Sequence, residues 1–292
     1  MNFKYVETIT EQNIKLSGCL TANNNSKCIM YIPGLSGNFF ETKYTRLLAQ
    51  TLINNGYDFL FAHNQGSFQV FEVPFLNKEG KWKSRLRGAA YEKFEDCLYD
   101  IGAWIDYLKN LNYNEVTVVA HSMGCNKIVY YLNNYNSSII KKLILLAPQD
   151  NINYNELECH KGLLEEAKNN IKSGFHDKLL SKKFLGFCLM SSETYYNEIT
   201  NQTINNIPYK TSNGDFSLLN NINIPIHIII GSEDIGNNGE EYMTLLMKHC
   251  KNGSYDILNG ANHNFKNKEE DLTELILKKC SWNKLLFLLL FI

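Results

Sequence analysis

Apolar positions fall along the chain in short runs that alternate with longer stretches of helical spacing. FKYVETIT at 3–10 and IKLSGCLT at 14–21 alternate residue by residue and read as an opening antiparallel pair. KCIMYI at 27–32 runs into Pro33-Gly34. A helix is predicted next over about 41–55, with Leu47, Leu48, Leu52 and Ile53 on one face and Gly56 as its stop. YDFLFAH at 57–63 is a further buried strand. Residues 89–111 place Phe94, Leu98, Ile101, Ile105 and Leu108 at helical spacing and predict one long helix. The strand VTVVA at 116–120, a helix beyond Ser122 and the strand KKLILLAPQ at 141–149 follow.

Between about 150 and 223 the rhythm breaks into polar helical pieces without a clear strand. It resumes with IPIHIIIGSED at 224–234, a helix near 240–249, the strand SYDIL at 254–258 and a helix around 269–279. Continuous apolar strands alternating with helices predict an α/β architecture, a mostly parallel central sheet with helices on both faces. Residues 1–292 read as a single domain, with 150–223 a small helical cap insertion over one end of the sheet.

Composition narrows the function classes. Hydrophobic residues make up 44% and charged residues 20% of the 292 positions, values that suit a globular protein with a sizeable core. A formal net charge of −1 and scattered lysines exclude a broad electrostatic interaction with nucleic acid. The eight cysteines are dispersed, without a C-x-x-C pair, and the opening MNFKYVETIT has no apolar signal core, so reduced thiols in a cytoplasmic protein are expected. No cluster has metal-ligand spacing. The segment 281–292 ends in an apolar run from Leu285 to Ile292, far short of the roughly 20 residues that span a bilayer. Docking on the fold is its ordinary reading, and interfacial membrane contact through 285–292 is the alternative. Oligomeric state is not legible.

The chemistry centres on EVTVVAHSMGCNKIVYYLNN at 115–134, where a buried strand stops at His121-Ser122-Met123-Gly124 and a helix begins. A serine hydroxyl is a weak nucleophile until an imidazole takes its proton, and the imidazole works best when a carboxylate fixes its tautomer. Downstream, IIIGSEDIG puts Asp234 just beyond one buried strand, and DILNGANHNF puts His263 in the loop after the next. In a parallel sheet these positions gather at one edge. Taken alone, Ser122 is a helix N-cap, Asp234 a turn residue and His263 a loop histidine. Their joint appearance favours a site.

The order Ser, Asp, His, each after a strand, resembles the α/β-hydrolase superfamily, closest to its serine esterase, lysophospholipase and aminopeptidase-like members. The likeness covers 28–279. It implies the α/β-hydrolase fold and a triad of Ser122 as nucleophile, His263 as base and Asp234 as orienting acid, with Glu233 the runner-up acid. It also implies an oxyanion hole from the backbone N–H groups of Met123 and Leu35, with Ser36 second to Leu35. Ala120 stands where the written motif has Gly. It remains small, as the close approach of strand and helix requires, so the pattern is small-x-Ser-x-Gly.

His121 is expected to pack, and His63, at the end of a strand, to cap a loop or touch substrate. The long segment 64–88, carrying Phe68, Phe71, Phe75 and Trp82, reads as a lid or binding loop, or as aromatic packing over the helix behind it. FLGFCLMSSETYY at 184–196 is placed to roof an acyl pocket. The expected partner is a small, partly apolar acyl substrate, with no cofactor implied and an ester, thioester or amide as the scissile group. A non-catalytic binding protein on the same fold and an acyltransferase using the same residues are the alternatives.

Overall fold

The computed structural model describes residues 2–150, 157–204, 206–208, 214–234 and 239–281. Its strands are β1 (Lys4–Ile9), β2 (Lys15–Thr21), β3 (Lys27–Ile32), β4 (Asp58–Ala62), β5 (Phe71–Leu76), β6 (Trp82–Arg87), β7 (Glu115–His121), β8 (Ile140–Leu146), β9 (Ile226–Gly231) and β10 (Gly253–Leu258). Eight of them form one sheet in the order β1-β2-β4-β3-β7-β8-β9-β10. β2 runs antiparallel to β1 and β4, and every pair from β4 through β10 is parallel.

The alternation of side chains along the strands separates two cores. On one face Cys28, Met30 and Ile32 of β3 and Val116, Val118 and Ala120 of β7 pack with helices α2 (Cys97–Asn110) and α3 (Met123–Asn134). On the other, Ile29, Tyr31 and Val119 pack with α1 (Lys43–Asn54) and with a terminal helix at Glu269–Cys280. The central strands are therefore covered on both sides, which is why they are mostly apolar on both faces. Each fully buried Leu or Ile contributes about 1.5–3 kcal/mol over its exposed state.

The segment expected as a cap joins β8 to β9. Its described part holds α4 (Leu163–Lys172), α5 (Ser192–Thr200) and the one-turn α6 (Ser217–Asn220). Leu163, Ala167, Phe184, Met190, Tyr195 and Ile199 give it a small core of its own, into which Ala89 reaches. After β9 come α7 (Glu240–Met247), β10 and α8 (Glu269–Cys280).

Two sequence expectations change. The long helix expected over 89–111 starts at Cys97, and 89–96 makes two 3-10 turns separated by extended residues. The extended backbone at Glu92 carries its carboxylate to the buried ammonium of Lys127 in α3, a pairing that outweighs helical propensity. The segment 64–88 is no open loop: it folds into the hairpin β5–β6 around Asn77, whose Oδ1 accepts from the N–H of Glu79 and Lys81, with Gly80 at φ +73°. Pro74 is tolerated because the hairpin has only two strands. Val73 is buried in the main core, and Lys15 lies over the Trp82 ring.

None of the eight cysteines, all of which are described, forms a disulfide. No group of metal-ligand residues occurs among the described residues, and no helix among them is long and apolar enough to cross a membrane. The apolar segment 285–292 lies outside the described residues.

Candidate active site

Ser122 occupies the single residue between the end of β7 and the start of α3, at φ +54° and ψ −128°. This backbone is costly for a residue with a Cβ and persists only where the surroundings enforce it. They do so by close packing. The Ser122 N–H donates to the Leu146 carbonyl at 2.9 Å, and its own carbonyl accepts from Cys125 N–H at 2.9 Å. A Cβ on Gly124 would stand 2.6 Å from the Ile32 carbonyl oxygen and 2.8 Å from that of Pro33. One on Gly34 would stand 2.7 Å from Ser122 Cβ. Ala120 is fully buried, and its carbonyl accepts the Cys125 thiol at 3.2 Å, so a methyl fits there as the small-residue pattern requires.

His263 Nε2 lies 2.9 Å from Ser122 Oγ, and His263 Nδ1 lies 2.8 Å from Asp234 Oδ1. The Asp234 side chain is only 4% exposed whereas Glu233 points outward, so the shorter acid is the one that meets the ring. The two loops are laced together. Ser232 N–H donates to Leu258 O and Glu233 N–H to Ala261 O, and a Cβ on Gly231 would meet that Ala261 oxygen at 2.1 Å. Glycine at 231 is what lets the acid-bearing turn touch the histidine loop.

His121 packs edge-on to Tyr44 and lies 5.1 Å from the His263 ring, centroid to centroid. Burial, reinforced by His263, pushes its pKa down to about 4, so the ring is neutral at pH 7. Its Nε2 lies 2.9 Å from the His263 carbonyl and, as an N–H, holds that loop in place. His63 is also neutral, its pKa lowered to about 4 by burial. It accepts from Phe39 N–H through Nε2, sits 3.1 Å from Ser17 O through Nδ1, and caps the 38–40 loop.

Leu35 lines the same cavity as Ser122 and His263, in a turn closed by Gly37 N–H to Gly34 O. Ser36, at φ +56°, lines the cavity as well, is bridged to Ser67, and accepts the Phe68 N–H through its carbonyl. Met123 is buried and opens α3 directly behind Ser122.

The cavity has a volume of about 550 Å³. Pro33, Leu35, Leu185 and Phe187 supply apolar wall, and Glu41, Lys43, Lys266 and Glu269 supply its charged parts. Leu185 and Phe187 come from the cap, on a tight turn with Leu185 at φ +50°, Gly186 at φ +77° and Leu185 N–H donating to His160 Nε2. Phe68, Phe71, Phe75 and Trp82 do not line it. Phe68 lies between the rings of His63 and Phe71, while Phe71 and Trp82 are themselves exposed. A slightly larger hollow of about 620 Å³, between β6 and α5, is lined mainly by charged and hydroxyl side chains and contains none of the relay residues.

Two residues at the site carry no motif in the sequence. Gln149 Oε1 lies 2.8 Å from Ser122 Oγ, and Asn126 of α3 clamps the Gln149 backbone. The APQ ending of the strand 141–149 placed Gln149 at the active edge, but nothing local told it from any other strand-end residue.

Residues 3–216 match the family described as protein of unknown function, DUF1749. No curated protein matches the chain. Among solved structures, Est1E from Butyrivibrio proteoclasticus with ferulic acid bound is 18% identical, with a TM-score of 0.62, covering 95% of this chain and 98% of its own. A putative hydrolase from Agrobacterium vitis is 12% identical, with a TM-score of 0.62 and coverages of 94% and 98%. An esterase from Pyrococcus furiosus is 19% identical, with a TM-score of 0.55 and coverages of 94% and 88%. The likeness runs nearly end to end in each, and the fold is that of the α/β-hydrolases.

Proposed function

The chain belongs to the DUF1749 family, and we propose that it is a serine hydrolase that cleaves a carboxylic ester through an acyl-enzyme. The observation that carries this reading is the unbroken line from Asp234 Oδ1 through the His263 ring to Ser122 Oγ, ending in the wall of a partly apolar cavity. Such a line does one kind of work well. His263 Nε2 takes the Ser122 proton as Oγ bonds to the substrate carbonyl carbon, and Asp234 stabilises the imidazolium that results. The N–H groups of Leu35 and Met123 hold the oxyanion. Collapse breaks the bond to the alcohol oxygen, which leaves with the proton from His263. Water, activated by the same ring, then splits the acyl-serine and restores Ser122.

Leu35, Leu185 and Phe187 favour an apolar or aromatic acyl group, and the nearby charges favour a polar leaving group. Est1E, similar in fold, holds ferulic acid, which makes aromatic esters sensible probes beside short-chain ones. The test is Ser122→Ala assayed with p-nitrophenyl butyrate and methyl ferulate. Loss of about 10⁴-fold or more in turnover with an unchanged melting curve is expected. Undiminished turnover in that variant sinks the assignment. A folded wild-type protein inert to esters and to a fluorophosphonate favours a binding role for the same cavity.

A further inference from the structure

Among the described residues, Ser122 Oγ has two polar side-chain neighbours, His263 Nε2 at 2.9 Å and Gln149 Oε1 at 2.8 Å. A hydroxyl has one proton, and the Gln149 carbonyl oxygen is an acceptor with no proton to give. The Ser122 proton is therefore directed to Gln149. His263 Nε2 then faces oxygen lone pairs, and its contact with Oγ is favourable only when Nε2 itself carries a proton. A nitrogen so protonated cannot take one from Ser122. This arrangement is unreactive. The reactive one needs the hydroxyl turned to His263, which leaves Gln149 Oε1 and Ser122 Oγ facing each other without a proton between them.

Resting on the hydrolase reading above, we propose that Gln149 is a positioning residue that restrains the nucleophile, holding the Ser122 proton away from His263 until the amide is turned or displaced. The placement of the amide is built in. Gln149 is 3% exposed. Asn126 Nδ2–H donates to its carbonyl at 2.9 Å, and its N–H donates to Asn126 Oδ1 at 3.3 Å. Asn126 belongs to the helix that Ser122 opens, so the same element holds hydroxyl and amide at a fixed separation. Its Nδ2 also donates to the Ile204 carbonyl, and its own carbonyl accepts from Asn206 Nδ2. The cap thus reaches the nucleophile through Asn126 and Gln149, and substrate that shifts the cap or takes the amide releases the restraint.

The test is the rate of fluorophosphonate labelling at Ser122 between pH 5 and 9, with Ser122→Ala as the control for the labelled site. In this reaction the Oγ–P bond forms, fluoride leaves with the P–F electron pair, and the Ser122 proton passes to His263. Gln149→Met keeps the bulk of the side chain and removes the acceptor. Gln149→Glu keeps the size and strengthens the acceptor. Removing one hydrogen bond that favours the unreactive arrangement is expected to speed labelling of the Met variant about 2- to 10-fold and to move the midpoint of its pH profile downward. The Glu variant is expected to label more slowly, with a midpoint above that of the wild type. A role confined to packing leaves both midpoints unmoved. Should the Met variant melt early, the Glu variant carries the comparison alone. Unchanged midpoints, or the reverse order, overturn this inference. Absence of labelling in both folded wild-type and folded Gln149→Met protein overturns the hydrolase reading instead.

Discussion

Gly124→Ala tests how closely the elbow is built. The added Cβ would meet two backbone oxygens, of Ile32 at 2.6 Å and of Pro33 at 2.8 Å, where ordinary contact begins near 3.4 Å. Both belong to the end of β3 and the loop that follows it, which is fastened to β4 and β7 on either side, so α3 must be the part that moves. The shift required is about 0.8 Å, and overpacking of this kind costs about 1–3 kcal/mol. For a chain of this length that lowers the melting temperature by about 2–10 °C. The larger effect falls on chemistry. Met123 opens α3, and its N–H is one of the two proposed oxyanion donors, so a displacement approaching 1 Å is expected to cost about 10²-fold in turnover. The assays are thermal melting and p-nitrophenyl ester kinetics, with Ala120→Gly beside it. That variant only removes a methyl, is expected to lose about 1 kcal/mol, and keeps most of its turnover. A Gly124→Ala protein that melts and turns over like the wild type would refute the argument that strand and helix touch here.

The buried pair of Lys127 and Glu92, 1% and 3% exposed, makes a second test. Burial works against the Lys127 charge, but Glu92 beside it more than offsets this and raises its pKa. Lys127→Met strands a buried carboxylate and is expected to cost about 3–5 kcal/mol by urea denaturation, while Lys127→Met with Glu92→Leu recovers much of it. Equal losses in single and double variants would show that the pair does not act as a unit. A third test is acid stability. His63, His121 and His227 are each lowered from 6.5 to about 4, with burial the first cause, so between those values the unfolded chain binds more protons and stability falls as pH falls. Asp100, raised by burial to about 7, has the opposite sign: its contribution grows as pH falls through that range. Three histidines against one carboxyl leave a net loss toward pH 4, and Asp100→Asn, by removing the opposing group, should steepen it in denaturation at pH 7 and 4.5. A flat profile would contradict the assignment of neutral buried rings.

How much of this was legible beforehand depended on the kind of signal. Val116–Ala120 and Ile226–Ile230 declare buried strands because they are covered on both faces and are almost wholly apolar, with Thr117 and His227 the polar residues in them. Ser122, Asp234 and His263 stood out as candidates because each follows a strand of the parallel part of the sheet, and parallel strands end together. The hairpin β5–β6 was legible in principle, since Phe71, Val73 and Phe75 alternate before the Asn77–Gly80 turn, but the aromatic spacing within it also suited a binding loop. The break at 89–96 was not legible. Its cause is Lys127, more than thirty positions later, and helical spacing carries no record of a distant charge.

The sequence by itself determined the alternation of the central strands with their main helices, the two-sided burial of those strands and the side-chain types at the sheet's C-terminal edge, because these follow from periodicity and side-chain type within a few neighbouring residues. Only the tertiary structure decided which groups meet. It brought Asp234 rather than Glu233 to His263, Phe187 rather than Trp82 to the cavity wall, and Gln149 to the Ser122 hydroxyl. Each of these depends on contacts between loops from different strands, and the energy of such a contact depends on a distance that no single segment of chain encodes.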